Sequence, residues 1–133
     1  MTTSTKPRPV YRNIHVFDLM RYRLPMPGII SILHRISGAF LFLLIPGFLG
    51  LLQMSLKSEA GFETFKSMIW GNAFAKIFLL GMLYFFVHHF CAGIRYLLLD
   101  LHKGVDLAAA RRSSYIVIVA SVLISVLLAV KLW

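Results

Sequence analysis

Residues 72–101 read NAFAKIFLLGMLYFFVHHFCAGIRYLLLDL, and from Ile77 to Val87 this stretch carries no charge. A helix needs roughly 20 apolar residues to cross a hydrocarbon core about 30 Å thick, so the segment predicts a transmembrane helix. Working outward, two further blocks have the same character. Residues 27–56 open with polar side chains and turn apolar after Gly38, and residues 115–132 hold no charge until Lys131. The β-branched residues of the last block favour a strand in water, but an unpaired strand leaves its backbone unsatisfied in lipid. Helix is the reading there too. The predicted architecture is all-α and integral to the membrane: one domain over residues 1–133 with three transmembrane helices, preceded by a short N-terminal interfacial segment.

Composition points the same way. Hydrophobic residues make up 59% of the chain and the mean hydropathy is +0.78, where a soluble domain is about half apolar. Fourteen lysines and arginines against five acids give a formal charge of +9. Such a balance raises nucleic acid as a partner, but these charges flank apolar spans and suit anionic lipid headgroups better. The reading therefore has membrane lipid as a partner and no nucleic acid.

Short loops rich in Lys and Arg stay in the cytoplasm. Six of the basic residues fall between Met1 and Arg35 and four between Arg95 and Arg112, ten of the fourteen on one side. The loop from Lys57 to Gly71 balances Lys57 and Lys66 against Glu59 and Glu63, as a periplasmic connection would. The expected location is a bacterial cytoplasmic (inner) membrane, with the N-terminus cytoplasmic and the C-terminus periplasmic. Residues 1–26 form the cytoplasmic segment, in which Ile14, Phe17 and Leu19 alternate with Arg12 and Arg21 from Val10 to Leu24, a pattern suited to the interface or to a covering partner. This segment lacks the apolar core of a cleavable signal, so the first span is expected to direct insertion. A single cysteine, Cys91, excludes an internal disulfide and a multi-thiolate zinc site; it is expected to pack as a small apolar residue.

Ionisable groups within spans are costly and need a partner or a task. No Asp or Glu lies in mid-span, which argues against a proton-coupled exporter. The polar set is Ser31, His34 and Arg35 on the first span and His88, His89 and Arg95 on the second. At about 1.5 Å per residue, His89 stands roughly 18 Å and His34 roughly 9 Å below the cytoplasmic surface, which places them at different depths and not on opposite sides of one iron. Residues three and four apart share a helix face: His89 lies with Ala92, Gly93 and Tyr96, His88 with Gly81, Tyr84, Cys91, Ala92 and Arg95. Both faces are permissive, and spacing does not choose between the two histidines. Hydrogen bonding to a neighbouring helix is as consistent with either ring as metal ligation. Arg95 is expected to reach headgroups or pair with Asp100, Lys76 to be a solvated anchor, and the segment Gly38–Gly47 to serve packing.

Two stretches carry a family resemblance. Arg8-Pro9-Val10 is followed by Ser31-Ile32-Leu33-His34-Arg35-Ile36-Ser37-Gly38, and His89-Phe90-Cys91-Ala92-Gly93-Ile94-Arg95 is followed by Asp100. In this order, on three spans, they resemble the cytochrome b membrane subunit of succinate dehydrogenase, an anchor chain of respiratory complex II. The resemblance runs from Arg8 to Trp133 and implies that His89, four residues before Gly93, is an axial ligand of the iron of heme b. The other ligand is then a histidine of a second membrane anchor subunit. It implies further that Ser31 and Arg35 line the ubiquinone pocket and that His34 and Arg35 face the heme propionates. Where many relatives have histidine or phenylalanine, this chain has Tyr96, which keeps the aromatic body and adds a hydroxyl. The implied role is quinone-reducing anchor within an enzyme whose flavoprotein and iron-sulfur subunits oxidise succinate, since this chain has no flavin motif, cluster cysteines or dicarboxylate site of its own. An anchor of a quinol:fumarate reductase and a structural anchor without heme are the alternatives.

Overall fold

The computed structural model describes Phe17, Arg21 and residues 23–132. The interfacial reading of Val10–Leu24 therefore falls almost wholly outside the described residues. Helix α1 runs Met26–Lys57, α2 Glu59–Trp70, α3 Ala73–Asp100 and α4 Leu107–Leu132. Three of these, α1, α3 and α4, are long and apolar enough to cross a membrane. At about 1.5 Å per residue, α1 is roughly 48 Å long, so it extends beyond the hydrocarbon layer.

Local signals set the ends. Pro27 sits in the first turn of α1, where its missing N–H costs nothing. Ser58 separates α1 from α2 and accepts from the Gly61 amide at 3.1 Å. Asn72 caps α3 by accepting from Phe74 and Ala75, as short polar side chains do at helix starts. The turn after α3 uses positive φ at His102 and at Gly104, and Asp106 then accepts from the Ala109 amide at 2.8 Å. Because Asp106 caps here and Ala108-Ala109-Ala110 favours helix, α4 begins at Leu107, well before the apolar block read from residue 115. The connection between α1 and α3, read as a loop, is largely the short helix α2, which lies against α1 and α3.

Helix α3 is the central element: it packs extensively on both α1 and α4, which touch each other less. The shared core is small, with Ile30, Ala92 and Val117 buried and Cys91, Tyr96 and Ile118 packed around them. Along α4 the buried positions are Ser114, Val117, Ser121 and Ser125, a stripe of small side chains at helical spacing. Lipid tails are as apolar as leucine, so helix association in a membrane relies on such close approach. Ser114 and Ser121 donate to the carbonyls four residues back, Ala110 and Val117, and so hide their hydroxyls against their own helix.

Arg95 departs from expectation. It is 6% exposed, its Nε donates to Ser113 Oγ at 3.0 Å and its Nη2 to the Ala110 carbonyl at 3.4 Å. The early start of α4 explains this, because it brings Ala110 and Ser113 alongside the last turns of α3. Asp100 is exposed, and among the described residues the only ion pair is Lys66–Glu63. Lys76 is half-buried with its ammonium 5.6 Å from the centre of the Trp70 ring, a cation–π contact.

The serine stripe predicts that Ser121→Leu destabilises the bundle by about 1–3 kcal/mol through overpacking. Ser121→Ala is expected to cost no more than about 0.6 kcal/mol. Unfolding of helical circular dichroism in detergent measures both, and equal stability of the two variants would count against close packing there.

Candidate functional site

The two histidines of α3 face different surroundings although they are neighbours in sequence. Buried positions on α3 include His88, Ala92 and Arg95, three or four residues apart and therefore on one face. His89, Gly93 and Tyr96 follow on the adjoining face, which is half-buried, while Phe90, Ile94 and Leu97 are exposed.

His89 is tied to α1. Its Nδ1 lies 3.1 Å from the His34 carbonyl and 3.2 Å from Ser37 Oγ, and Ser37 itself donates to that carbonyl at 2.9 Å. A carbonyl oxygen only accepts, so Nδ1 carries the proton and the lone pair of the neutral ring resides on Nε2. Nε2 makes no hydrogen bond among the described residues, and it is not one of the sealed polar atoms. His88 presents the opposite case: it is 1% exposed, both ring nitrogens are sealed without a partner, and its ring lies 5.9 Å from that of Tyr84.

Gly38 makes the approach of the His89 ring possible. A Cβ at this position would stand 2.8 Å from His89 Cε1, so only glycine leaves the space. The glycine is thus a packing residue, as its motif suggested, but what it packs is the histidine.

His34 and His89 do not lie at separate depths. Their rings are stacked, with centroids 4.2 Å apart and planes 8° from parallel. Counting from helix ends misjudged this because α1 and α3 do not end level with each other. The face-to-face stack sets the two rings side by side, not on either side of a macrocycle. The Tyr96 ring leans on His34 at 5.0 Å, Arg95 lies over the Tyr96 ring at 5.4 Å, and the Tyr96 hydroxyl is buried with no partner among the described residues.

Ser31 and Arg35 lie one turn apart on α1, Ser31 half-buried and Arg35 exposed. Neither side chain is hydrogen-bonded to a described residue. The structure brings His34 together with His89 and Tyr96; no contact draws Ser31 or Arg35 into that cluster. Sequence reasoning quoted Ser37 and assigned it no part. Its spacing of three residues from His34 was the available signal, since a hydroxyl there reaches the carbonyl one turn back. Among the described residues no group of three or more metal-ligating side chains occurs.

Comparison with known proteins follows this geometry. The family of the succinate dehydrogenase/fumarate reductase transmembrane subunit matches residues 4–128. The chain is similar to the succinate dehydrogenase cytochrome b556 subunit of Coxiella burnetii, with 35% identity over 116 residues, 87% of this chain and 93% of the relative. It is also similar to the proteins of that name from Rickettsia felis, at 31% identity over 80% of this chain and 82% of the relative, and Paracoccus denitrificans, at 31% over 82% and 83%. With three spans, a matching model over nearly its whole length and these relatives, the chain belongs to the family of succinate dehydrogenase/fumarate reductase transmembrane subunits.

Proposed function

We propose that this chain is the membrane anchor of a succinate:ubiquinone oxidoreductase, that His89 ligates heme b jointly with a histidine of a companion anchor subunit, and that Ser31 and Arg35 form part of the ubiquinone reduction site. One observation carries the reading: His89 donates from Nδ1 to the α1 backbone and leaves Nε2 unpartnered among the described residues and not sealed off. Metal-bound histidines typically donate their other ring nitrogen to a carbonyl or carboxylate, which fixes the tautomer and aims the lone pair. His88, sealed inside the bundle, has no such outlet.

The residues present fit half of a heme site. The half-buried face of His89, Gly93 and Tyr96 offers a ligand, a position without a side chain and an aromatic ring. When bound, heme b supplies one-electron redox chemistry. His34 would orient His89 by stacking and through its carbonyl, and with Arg35 it would meet the negative propionates by charge-assisted hydrogen bonds. Ser31 and Arg35 would donate to a quinone oxygen as negative charge develops there, the kind of stabilisation that preorganised donors provide. The exposed apolar side chains of all three spans, such as Phe42, Phe86, Phe90 and Leu127, leave ample surface for lipid and for the companion anchor. The flavoprotein and iron-sulfur subunits would dock at the basic, cytoplasmic end, with the N-terminus inside and the C-terminus in the periplasm of a bacterium. Quinol oxidation coupled to fumarate reduction is the second reading, favoured only by the joint description of the family; redox titration of the heme together with the identity of the quinone pool separates the two.

Three outcomes are expected. His89→Ala in the assembled complex abolishes the bis-histidine heme signal in a reduced-minus-oxidised spectrum, and a full signal in that variant would defeat the ligand assignment. Arg35→Ala and Ser31→Ala each lower quinone reductase activity roughly tenfold to a hundredfold, the size of a lost hydrogen bond to a charged group. Succinate oxidation with an artificial dye stays intact; unaltered quinone kinetics in both would remove these residues from the pocket. Gly38→Ala pushes the His89 ring at a cost of about 1–3 kcal/mol and shifts the electron paramagnetic resonance of the low-spin heme. An identical resonance would mean that the ring's position does not depend on this glycine.

A further inference from the structure

Where α3 ends and α4 begins, the chain forms an open recess of about 260 Å³ lined by Arg95, Leu98, Leu99, Lys103, Ala109 and Ser113, with Gly104 at its edge. Two properties set it apart from the other recesses. It contains two cations, and one of them is buried. The Arg95 guanidinium has bonds from Nε and Nη2 only. Its Nη1 has no acceptor among the described residues and is not sealed off. No described carboxylate lies within 4.0 Å of it, although Asp100 and Asp106 are close in sequence. A charge withdrawn from water without a counter-charge is costly, and contact with the Tyr96 ring offsets it only in part.

We propose that this recess binds the phosphate of an anionic membrane lipid, with Arg95 and Lys103 on the phosphate and the acyl chain against Leu98 and Leu99. A guanidinium fork matches phosphate oxygens, whereas an ammonium acts as a point charge beside them. Both types line the recess. Ser113 already accepts from Arg95 and holds the fork in place. The walls argue for a lipid and against a free anion: Leu98, Leu99 and Ala109 offer nothing to an inorganic phosphate but do cover methylenes. Basic recesses between spans at the cytoplasmic boundary suit anionic headgroups on general electrostatic grounds. The site is distinct from the heme and quinone face, since Arg95 turns toward α4 while Tyr96 leans on His34 of α1.

The test uses the assembled complex in nanodiscs of equal parts phosphatidylglycerol and phosphatidylcholine, with retained lipid counted by native mass spectrometry. The wild-type complex is expected to retain phosphatidylglycerol in preference. Lys103→Gln, at an exposed position that does not support the fold, cuts that preference about fivefold, the effect of one lysine near anionic lipid. Ala109→Phe, which fills the recess and leaves both cations in place, removes the preference. The heme spectrum recorded on the same samples stays unchanged in Lys103→Gln, so loss of lipid selectivity is read apart from any failure of the heme assignment. An equal preference in wild type and both variants overturns the proposal and points to a partner's carboxylate against Arg95. Loss of the retained lipid to inorganic phosphate at constant ionic strength overturns it in favour of a free anion.

Discussion

The contact on which the site depends is that between the His89 ring and the backbone of α1 at His34. It crosses two helices, fixes which ring nitrogen carries the proton, and requires Gly38 to have no side chain. In a membrane these conditions reinforce one another. The ring hydrogen bond has no competition from water, and the glycine lets α1 and α3 come close enough to form it. The His34 ring, stacked on His89 from the same turn of α1, limits the remaining freedom of rotation. Ser37 holds the shared carbonyl in place from below. One turn of α1 thus supplies an acceptor, a stacking plane and a gap, all directed at one imidazole.

Helix α3 assigns separate tasks to its successive faces. His88, Ala92 and Arg95 turn inward, where small neighbours and the serine stripe of α4 allow close packing. His89, Gly93 and Tyr96 form the half-buried face with unsatisfied polar atoms. Phe90, Ile94 and Leu97 are exposed, as suits lipid or another apolar helix. Because a helix advances about 100° per residue, adjacent histidines must point in different directions, and the chain uses this to seal one ring and leave the other open. His88 carries two nitrogens with no partner among the described residues, an energetic burden for which the structure offers no direct account.

Buried charge at the basic end of the bundle follows from the same architecture. Arg95 was free to extend to the headgroups only so long as α4 started late. Its early start places the Ala110 carbonyl and the Ser113 hydroxyl beside the guanidinium, and these two acceptors draw it inward. The helix pair is thereby joined where the loop is short, and a cation is left facing a recess that has apolar walls.

The number of spans and their helical nature were legible in the sequence, because an uncharged run of sufficient length admits only one backbone solution in lipid. Local motifs drew attention to Ser31, His34, Arg35 and His89, and of these the structure brings His34 and His89 together. Spacing left His88 and His89 undecided and the family resemblance chose His89; the relative level of His34 and His89, the part of Ser37 and the burial of Arg95 were not legible. Each depends on how far one helix is shifted along another and rotated about its axis. Those two quantities arise from side chains meeting across the bundle, Gly38 against the imidazole and the small stripe of α4 against α3. Distances along the chain contain the rise of each helix but not the offset between helices, so only the tertiary structure could decide them.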